Sequence, residues 1–431
     1  MENRGRAKRD ASARKTSSGK GQFDRRTLLR AGALAAGMAG MGAGIARAAE
    51  SIGADAPDWM KTPGRSFSTY GMPSHWQEKV QRTVAFLPGR PGTGTSRTPL
   101  HLLEGTITPN GLHFERHHNG VPDIDPSRHE LVIHGLVKRP LAFSIETLMR
   151  YPMESQIHFV ECSGNSGSFN QPEPQQATAG GLNGLLSCSE WSGVRLATLL
   201  QEAEPAREAK WVVSEGADAA AMSRSVPLEK CLDDAMIALY QNGEAIRPEQ
   251  GYPMRLLLPG FEGNMNVKWL RRLKVMDQPV NARDETSHYT ELMPGGKARQ
   301  YMFLQGVKSA IIKPSFGMNM KGPGFYEVSG LAWSGSGRVS KVEVSSDAGK
   351  SWTPASLTAP VLSKALTRFR LAWQWDGRPV TLMSRATDEK GEVQPTRAAW
   401  VSQYSPVQFY HFNGIQGCRI EADGTVKHVY V

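Results

Sequence analysis

The sequence predicts an α+β fold, in which a domain of mixed strands and short helices precedes an immunoglobulin-like β-sandwich. Its 431 residues exceed what one hydrophobic core usually organises, which favours two domains. Strand-like and helix-like segments alternate upstream of about residue 300. Downstream, short alternating segments rich in aromatic and β-branched residues are separated by Gly, Asp and Pro, the pattern of an all-β sandwich.

The first 48 residues predict a twin-arginine export signal. Arg25 and Arg26 precede a weakly apolar, glycine-rich stretch of about 16 residues, too short to span a bilayer. Ala46-Arg47-Ala48 then fits a small-residue cleavage site, and the alternative is a basic tail without a targeting role. Because such signals export folded proteins, the segment predicts a periplasmic protein that receives a cofactor before export.

Positive charge is concentrated in this leader. Of the formal net charge of +10, residues 1–48 contribute +8, with 11 Lys or Arg and 3 Asp or Glu. The rest of the chain is therefore nearly neutral, which argues against nucleic acid as a partner.

Four segments are expected along the chain: the export signal 1–48, an extended arm over 49–100, a catalytic domain over 101–295 and the sandwich over 300–431. Within the catalytic domain, "HELVIHGLV" and "SQIHFVE" predict strands, and Ser144 can cap a short helix in "FSIETLMRY". "WSGVRLATLLQEA", residues 191–203, has the apolar spacing of a helix. The sandwich carries fewer polar loops, so it is expected to support the first domain or to dimerise.

The four cysteines are too few to form a disulfide framework for a chain of this length. No C-x-x-C, C-x-x-C-H or paired Cys/His spacing occurs, so zinc, iron–sulfur and covalently attached haem lack ligands. Cys162 stands apart because it follows a predicted strand and precedes a polar turn, Ser163-Gly164-Asn165. Such a thiolate can be a nucleophile, a redox partner or a ligand for a soft metal, although composition alone favours a buried structural thiol.

An ordered set of motifs resembles the sulfite oxidase family of molybdenum enzymes over roughly residues 100–431. The motifs are "FERHHNGVPDIDPSRHELVIHG", the C-x-G-N of Cys162, "WSGVRL", "GYPMRLLLPG", "NVKWLRRL", "SHYT" and "SSDAGKSW". The resemblance implies one molybdenum-pyranopterin cofactor per chain, with the Cys162 thiolate as the protein's ligand to the metal.

The same resemblance implies roles for six further residues. Arg116 would hold anionic oxygens beside the metal and touch the cofactor, and Tyr289 would donate a hydrogen bond or relay a proton. The remaining cofactor contacts would be His118, Asp218, Arg255 and Lys268. Without the resemblance, each would be taken for a surface or structural polar residue.

Four positions depart from the animal sulfite oxidases. Two arginines of their sulfite pocket correspond to Gly167 and Asn413, while a histidine and an arginine near the pterin tail correspond to Gln250 and Met265. Fewer cations and more space suit sulfur carried on another molecule better than free sulfite.

The segments "WMKTPGRSFSTYGMPS", "SHYTELMPGGKARQY" and "YHFNGIQ…VYV" most resemble a sulfane-oxidising branch of the family, which acts in bacterial thiosulfate oxidation. That branch implies a sulfur-carrier protein as substrate, a separate c-type cytochrome subunit as electron acceptor and a homodimer formed through the C-terminal domain. Two alternatives stay open: a free-sulfite dehydrogenase with the same cofactor, and a non-catalytic β-sandwich binding protein.

Overall fold

The computed structural model describes residues 57–431, so the predicted export signal lies outside the described residues. Residues 57–73 belong to a first compact unit and Ser74–Val431 form a second. In the first unit, helix α1 (Asp58–Lys61) is followed by extended chain. No helix within residues 57–431 is long and apolar enough to cross a membrane.

The second unit begins with a small antiparallel sheet that carries Arg116. Its strands are β1 (Thr83–Phe86), β2 (Gly94–Arg97) and β3 (Glu115–His117), in the order β1-β2-β3. β1 and β2 lie within residues 49–100, the segment expected to be an extended arm. They form strands through pairing with residues outside that segment, since Thr95 of β2 lies opposite Arg116 of β3.

Two five-stranded sheets form the mixed domain. One has the order β5-β4-β13-β8-β9; the other has the order β11-β10-β7-β6, with β12 also paired to β10. Their strands are β4 (Glu130–Gly135), β5 (Leu141–Ser144), β6 (Met153–Glu161), β7 (Leu186–Arg195), β8 (Trp211–Gly216), β9 (Ser223–Pro227), β10 (Met236–Gln241), β11 (Glu244–Ala245), β12 (Arg255–Leu257) and β13 (Leu270–Met276).

Short helices connect these strands. They are α2 (Ile145–Leu148), α3 (Ala179–Asn183), α4 (Leu196–Ala203) and α5 (Leu228–Asp233). The predicted cap of α2 is confirmed, since the Thr147 N–H donates to Ser144 Oγ at 3.1 Å. The helix predicted over 191–203 is wrong in its first part: β7 pairs with β6 and β10 through Arg195, and the helix begins at Leu196.

The start of the helix differs because of tertiary pairing. A Cβ at Gly193 would lie 2.0 Å from the Ile237 carbonyl oxygen of β10, so this strand approaches its neighbour at a distance that only glycine permits. The spacing of apolar residues along the sequence does not reveal such a contact.

The C-terminal part forms the predicted sandwich. After α6 (Arg283–Thr286), β14 (Glu291–Leu292) and β15 (Ala298–Arg299), its sheets have the orders β16-β17-β21-β20 and β19-β18-β22-β23-β24. The strands are β16 (Lys308–Lys313), β17 (Gly324–Trp333), β18 (Val339–Ser345), β19 (Thr353–Pro354), β20 (Ser356–Leu357), β21 (Thr367–Trp375), β22 (Val380–Asp388), β23 (Gly417–Ile420) and β24 (Val426–Val429); helix α7 (Arg397–Gln403) follows β22. Inward-facing side chains of both sheets, including Val328, Phe369 and Leu382, share one core, which confirms the α+β fold with a β-sandwich.

A buried ion pair joins the sandwich to the end of β6. Glu161 is only 2% exposed, and its carboxylate accepts hydrogen bonds from Lys308 Nζ at 3.0 Å and from Trp333 Nε1 at 2.6 Å. Lys308 on β16 is itself 1% exposed and also donates to Ser166 Oγ at 2.8 Å. Both charges of this pair are therefore compensated inside the protein, directly beside Cys162.

We expect Lys308→Met to lower the free energy of unfolding by about 3–5 kcal/mol, because it leaves the Glu161 carboxylate buried without its counter-charge. Urea denaturation would measure the loss, and the Glu161→Gln/Lys308→Met double variant should recover much of it. The control is Arg338→Met, which breaks an ion pair with Glu389 at an exposed position and should cost at most about 1 kcal/mol. A Lys308→Met protein as stable as its control would contradict the assignment.

Candidate active site

Cys162 lies on a turn whose backbone is fixed at both ends. Its N–H donates to the Leu185 carbonyl at 2.9 Å, and the Asn165 N–H donates to the Cys162 carbonyl at 2.8 Å, which confirms the predicted tight turn. The Asn165 side chain donates to Glu161 Oε1 at 2.9 Å and accepts from the Leu185 N–H at 3.0 Å. A Cβ at Gly263 would lie 3.1 Å from the Cys162 Cα, so the neighbouring loop also packs closely on the turn.

All four cysteine thiols are free. Three of them, Cys188, Cys231 and Cys418, are buried structural thiols, whereas Cys162 lines a cavity. Burial raises the pKa of the Cys162 thiol, and the guanidinium groups of Arg116 and Arg97 oppose that shift. The Gly164 backbone also opposes the shift and the Glu262 carboxylate adds to it, so the pKa of the thiol is raised overall.

Arg116, His118 and Tyr289 line the cavity together with Cys162. His118 Nε2 and the Tyr289 hydroxyl oxygen are 3.0 Å apart. Burial, together with the Arg116 charge, lowers the pKa of His118 to about 4, so its imidazole is neutral near pH 7. Burial and the nearby Cys162 raise the pKa of Tyr289, so the phenol keeps its proton and can donate a hydrogen bond.

The cavity extends from Cys162 to two buried cations, Arg255 and Lys268. Arg255 donates to the Gln250 and Asn266 carbonyls, each at 3.0 Å, and burial lowers its pKa to about 9. Lys268 donates to the Glu249 carbonyl at 3.0 Å, and burial lowers its pKa well below the usual range. Within residues 57–431 neither cation forms an ion pair with a carboxylate, which leaves an anion-binding end to the cavity.

Several polar atoms of the cavity wall are buried and have no hydrogen-bond partner. They are His113 Nε2, Asp218 Oδ1, Arg255 Nε and Asn264 Oδ1. Buried polar atoms are rarely left unpaired, so this group points to a polar ligand. A thiol at one end, unpaired donors and acceptors along the wall and two cations at the other end fit a pyranopterin with a terminal phosphate.

The structure thus brings together in one cavity all seven residues that the resemblance selected. They are Arg116, His118, Cys162, Asp218, Arg255, Lys268 and Tyr289. Their individual roles stay predictions.

Of the four departing positions, Gln250 lines the same cavity, and Met265 is buried in the hydrophobic core beside it. A Cβ at Gly167 would lie 2.6 Å from the Phe409 ring, so no larger side chain fits at that position. Asn413 donates to the Val307 carbonyl at 3.2 Å and does not line the cavity.

Sequence reasoning missed a buried charge cluster behind the cavity. Glu262, which is fully buried, accepts from Arg224 Nη2 at 3.0 Å and from His411 Nε2 at 2.8 Å. The guanidinium of Arg224 lies 5.2 Å from the centroid of the Tyr289 ring, and the His411 N–H donates to the Ser163 carbonyl at 2.8 Å. The cluster therefore contacts both Tyr289 and the turn that carries Cys162.

The sequence does not predict this cluster, since its members come from three distant loops or strands. One weak signal is a charged residue inside an apolar run, as for Glu262 in "LLLPGFEGNM". Arg97 was missed for the same reason: it acts on Cys162 from the end of β2 without lining the cavity.

A second depression, at the mouth of the site, is also lined by Arg116, His118 and Tyr289. The outer wall is formed by Leu87, Arg90, Pro91, Thr93, Asn119, Arg283, Asp284, His288 and Tyr410. The Tyr410 ring lies 5.4 Å from the Tyr289 ring, so the loop between α7 and β23 forms part of this mouth.

Two family models match the chain. Residues 118–283 match the oxidoreductase molybdopterin binding domain, and residues 299–416 match the Mo-co oxidoreductase dimerisation domain. The mitochondrial sulfite oxidase of Drosophila melanogaster is 31% identical over 380 residues, covering 82% of this chain and 65% of that protein. The human enzyme is 28% identical over 330 residues, covering 70% of this chain and 59% of that protein. The chain thus spans less than two thirds of these curated relatives.

A solved structure matches over more of its length. The crystal structure of the sulfane dehydrogenase SoxCD from Paracoccus pantotrophus superposes with a TM-score of 0.86 at 44% identity. The match covers 88% of this chain and 99% of that chain.

The buried charge cluster generates a pH-dependent prediction. Burial alone would lower the pKa of His411, but the carboxylates of Glu262 and Glu291 outweigh it and raise the pKa to about 9. A histidine whose pKa is raised by folding stabilises the protein fully at pH values below its ordinary pKa of about 6.5. This stabilisation disappears as the pH rises through the pKa of about 9 in the folded protein. We therefore expect the melting temperature of the wild type to fall between pH 7 and pH 9.5.

His411→Gln should lose this pH dependence, because glutamine carries no charge to titrate; the stabilisation concerned is on the order of 3 kcal/mol. His428→Gln is the matched control: His428 is also buried in the sandwich, but burial lowers its pKa, so it is neutral across the tested range. Parallel pH profiles of the wild type and His411→Gln would contradict a charged His411.

Proposed function

The chain belongs to the sulfite oxidase family of molybdopterin oxidoreductases, and from this membership we propose that it oxidises sulfane sulfur bound to a carrier protein in bacterial thiosulfate oxidation. The observation that carries the proposal is the thiol end of the cavity, where Arg116 is the one cation of the described wall that lies beside Cys162. Position 167 has no room for another, because Phe409 covers it. The likeness to the Paracoccus pantotrophus sulfane dehydrogenase supports the same substrate class.

The molybdopterin-binding domain implies a molybdenum cofactor, which supplies two-electron oxidation of sulfur with oxygen taken from water. Cys162 would hold the metal through its sulfur, and Arg255 and Lys268 would hold the terminal phosphate. Arg116 would bind the anionic oxygens that develop on the sulfur, in a site where burial strengthens the attraction. Tyr289, whose hydroxyl lies 3.0 Å from His118 Nε2, would donate a hydrogen bond to substrate oxygens or relay a proton beside the metal.

The sequence given has no C-x-x-C-H motif for covalently attached haem, so we propose that electrons leave through another protein. The proposed acceptor is a c-type cytochrome subunit. Export by the predicted twin-arginine signal would place the reaction in the periplasm, and the match of residues 299–416 to a dimerisation domain supports a homodimer formed through the sandwich.

A second candidate is oxidation of free sulfite. Arg97 favours it, because this guanidinium also acts on Cys162 and could supply part of the charge missing at Gly167 and Asn413. The third reading, a non-catalytic β-sandwich binding protein, is opposed by the match of residues 118–283 to an oxidoreductase domain.

The proposal is tested by comparing two substrates with the matured holoenzyme and ferricytochrome c. We expect rapid reduction of the cytochrome with a persulfide-loaded carrier protein and little with free sulfite, because one cation beside Cys162 binds a small dianion weakly. Rapid, saturable turnover with sulfite alone would establish the sulfite dehydrogenase instead. Matured protein without about one molybdenum per chain would contradict both enzymes.

Two substitutions separate the metal ligand from the substrate site. Cys162→Ser should keep the fold but abolish turnover, because a serine hydroxyl is not ionised at neutral pH. Arg116→Gln should lower kcat/KM by about 10²-fold while molybdenum content stays close to the wild type. Arg338→Gln, an exposed arginine of the sandwich, is the control for the second change. Normal activity of Cys162→Ser, or loss of molybdenum but not of turnover per molybdenum in Arg116→Gln, would overturn these roles.

A further inference from the structure

The backbone of Tyr289 adopts a conformation that surrounding contacts must stabilise. Its φ of 54° lies in the left-handed region, which costs free energy for a residue with a large side chain. The side chain is buried, and its hydroxyl oxygen lies 3.0 Å from His118 Nε2. A single polar contact at the tip does not fix the plane of an aromatic ring. The direction of the hydroxyl therefore depends on what packs against the ring itself.

The face of the Tyr289 ring meets the guanidinium of Arg224. The guanidinium carbon lies 5.2 Å from the ring centroid, within the range of about 6 Å over which a cation is attracted to an aromatic face. Arg224 lies on β9 and is 1% exposed, so water weakens this attraction little. Arg224 thus supplies a buried, charged contact to the ring.

Two buried carboxylates hold the guanidinium of Arg224 in place. Glu262 accepts from Arg224 Nη2 at 3.0 Å, and a carboxylate oxygen of Glu285 lies 3.8 Å from Arg224 Nε. Glu285 is itself fixed by the Ser225 hydroxyl at 3.1 Å and by the Ala282 N–H at 2.9 Å. The cation that contacts Tyr289 therefore has a position set by two neighbouring loops.

Hydrogen bonding does not explain why an arginine is buried at this position. Its Nε and Nη1 atoms are buried and have no hydrogen-bond partner in the described chain, and such unpaired donors cost free energy. A buried ion pair can often be replaced by apolar side chains without loss of stability, so the pair with Glu262 is weak evidence for a role in the fold. The contact with the Tyr289 ring is what remains to account for the charge.

We infer that Arg224 is a positioning residue, which holds the Tyr289 ring so that its hydroxyl is kept in the cavity that Cys162 lines. Arg224 lines neither this cavity nor its mouth, so it acts through Tyr289. The inference rests on the proposed function, in which the Tyr289 hydroxyl donates a hydrogen bond or relays a proton beside the metal.

The test is a double-mutant cycle in the matured holoenzyme, between Arg224 and Tyr289. Arg224→Met is combined with Glu262→Gln, so that the Glu262 carboxylate is not left buried without its cation. The other change is Tyr289→Phe, and the triple variant completes the cycle. Values of kcat and KM are compared per bound molybdenum. Arg368→Met is the matched control, because Arg368 is also 1% exposed but lies on β21 of the sandwich and does not line the cavity.

We expect the Arg224→Met/Glu262→Gln variant to lower kcat/KM by at least about tenfold, through the same parameter, kcat or KM, that Tyr289→Phe changes. The triple variant should be as active as Tyr289→Phe, because Arg224 acts through the hydroxyl that phenylalanine lacks. The control should match the wild type. Wild-type activity of the Arg224→Met/Glu262→Gln variant would overturn the inference, and so would a triple variant in which the two losses simply multiply.

A second measurement on the same variants needs no turnover. With 3-fluorotyrosine incorporated, the ¹⁹F NMR signal that Tyr289→Phe removes is the signal of Tyr289. Arg224→Met/Glu262→Gln should shift or broaden this signal, and Arg368→Met should leave it in place. An unmoved signal in the folded Arg224→Met/Glu262→Gln variant would contradict the inference even if activity were lost. Failure of this variant to fold, while the control folds, would also contradict it, since the pair would then serve the fold.

Failure of the proposed function is detected separately. The cycle uses whichever substrate the wild type oxidises, carrier-bound sulfane or free sulfite, so a wrong substrate does not affect it. If Tyr289→Phe is as active as the wild type, the proposed role of the hydroxyl fails, and the ¹⁹F signal alone decides whether Arg224 holds the ring.

Discussion

The buried carboxylate of Glu161 is the constraint on which the site depends. It ends β6 at the residue before Cys162, and its charge is compensated by Lys308 and Trp333 of the sandwich. The same carboxylate accepts from Asn165, which in turn fixes the Leu185 backbone beside the thiol. Moving Cys162 would require breaking hydrogen bonds to a buried charge, so the thiol keeps one position relative to both domains. The sandwich therefore helps to position the thiol without contributing it.

Two kinds of buried charge surround the cavity, and they differ in whether the protein compensates them. Behind Tyr289, Arg224 and His411 share the carboxylate of Glu262, so the charges of that cluster are paired within the protein. Along the cavity, Arg255 and Lys268 face backbone carbonyls and aromatic rings, and neither forms an ion pair with a carboxylate of the described chain. Burying such cations costs free energy that an anionic ligand offsets, so a phosphate-bearing cofactor would stabilise the fold that binds it.

How much the sequence predicts depends on whether a feature is local. Cys162 at a strand end, the Ser144 cap and the sandwich texture are set by neighbouring residues, and the structure confirms all three. The beginning of α4 is not local, because pairing with β10 keeps residues up to Arg195 in a strand.

In the candidate site, too, some residues can be predicted from the sequence and others only from tertiary contacts. The seven cavity residues were selected by motifs that a family resemblance ordered, whereas the Glu262 cluster and the effect of Arg97 on Cys162 arise only when distant segments meet. Position 167 shows most clearly what the sequence leaves unexplained. The sequence shows that glycine stands there, but only the structure shows why: the Phe409 ring, some 240 residues away, already fills the space of a side chain.

The loop that carries Phe409 also explains how one scaffold can serve different sulfur substrates. Phe409 packs on the cysteine turn, Tyr410 packs on Tyr289, and His411 anchors the loop through Glu262 and the Ser163 carbonyl. Three consecutive residues of the sandwich thus shape the wall beside the thiol, while the cofactor cavity itself is built by the first domain. A substitution in this loop can remove or admit a charge near the Cys162 sulfur without touching Arg255 or Lys268 at the other end of the cavity. The two ends of the cavity are consequently separable, because they depend on different segments of the chain.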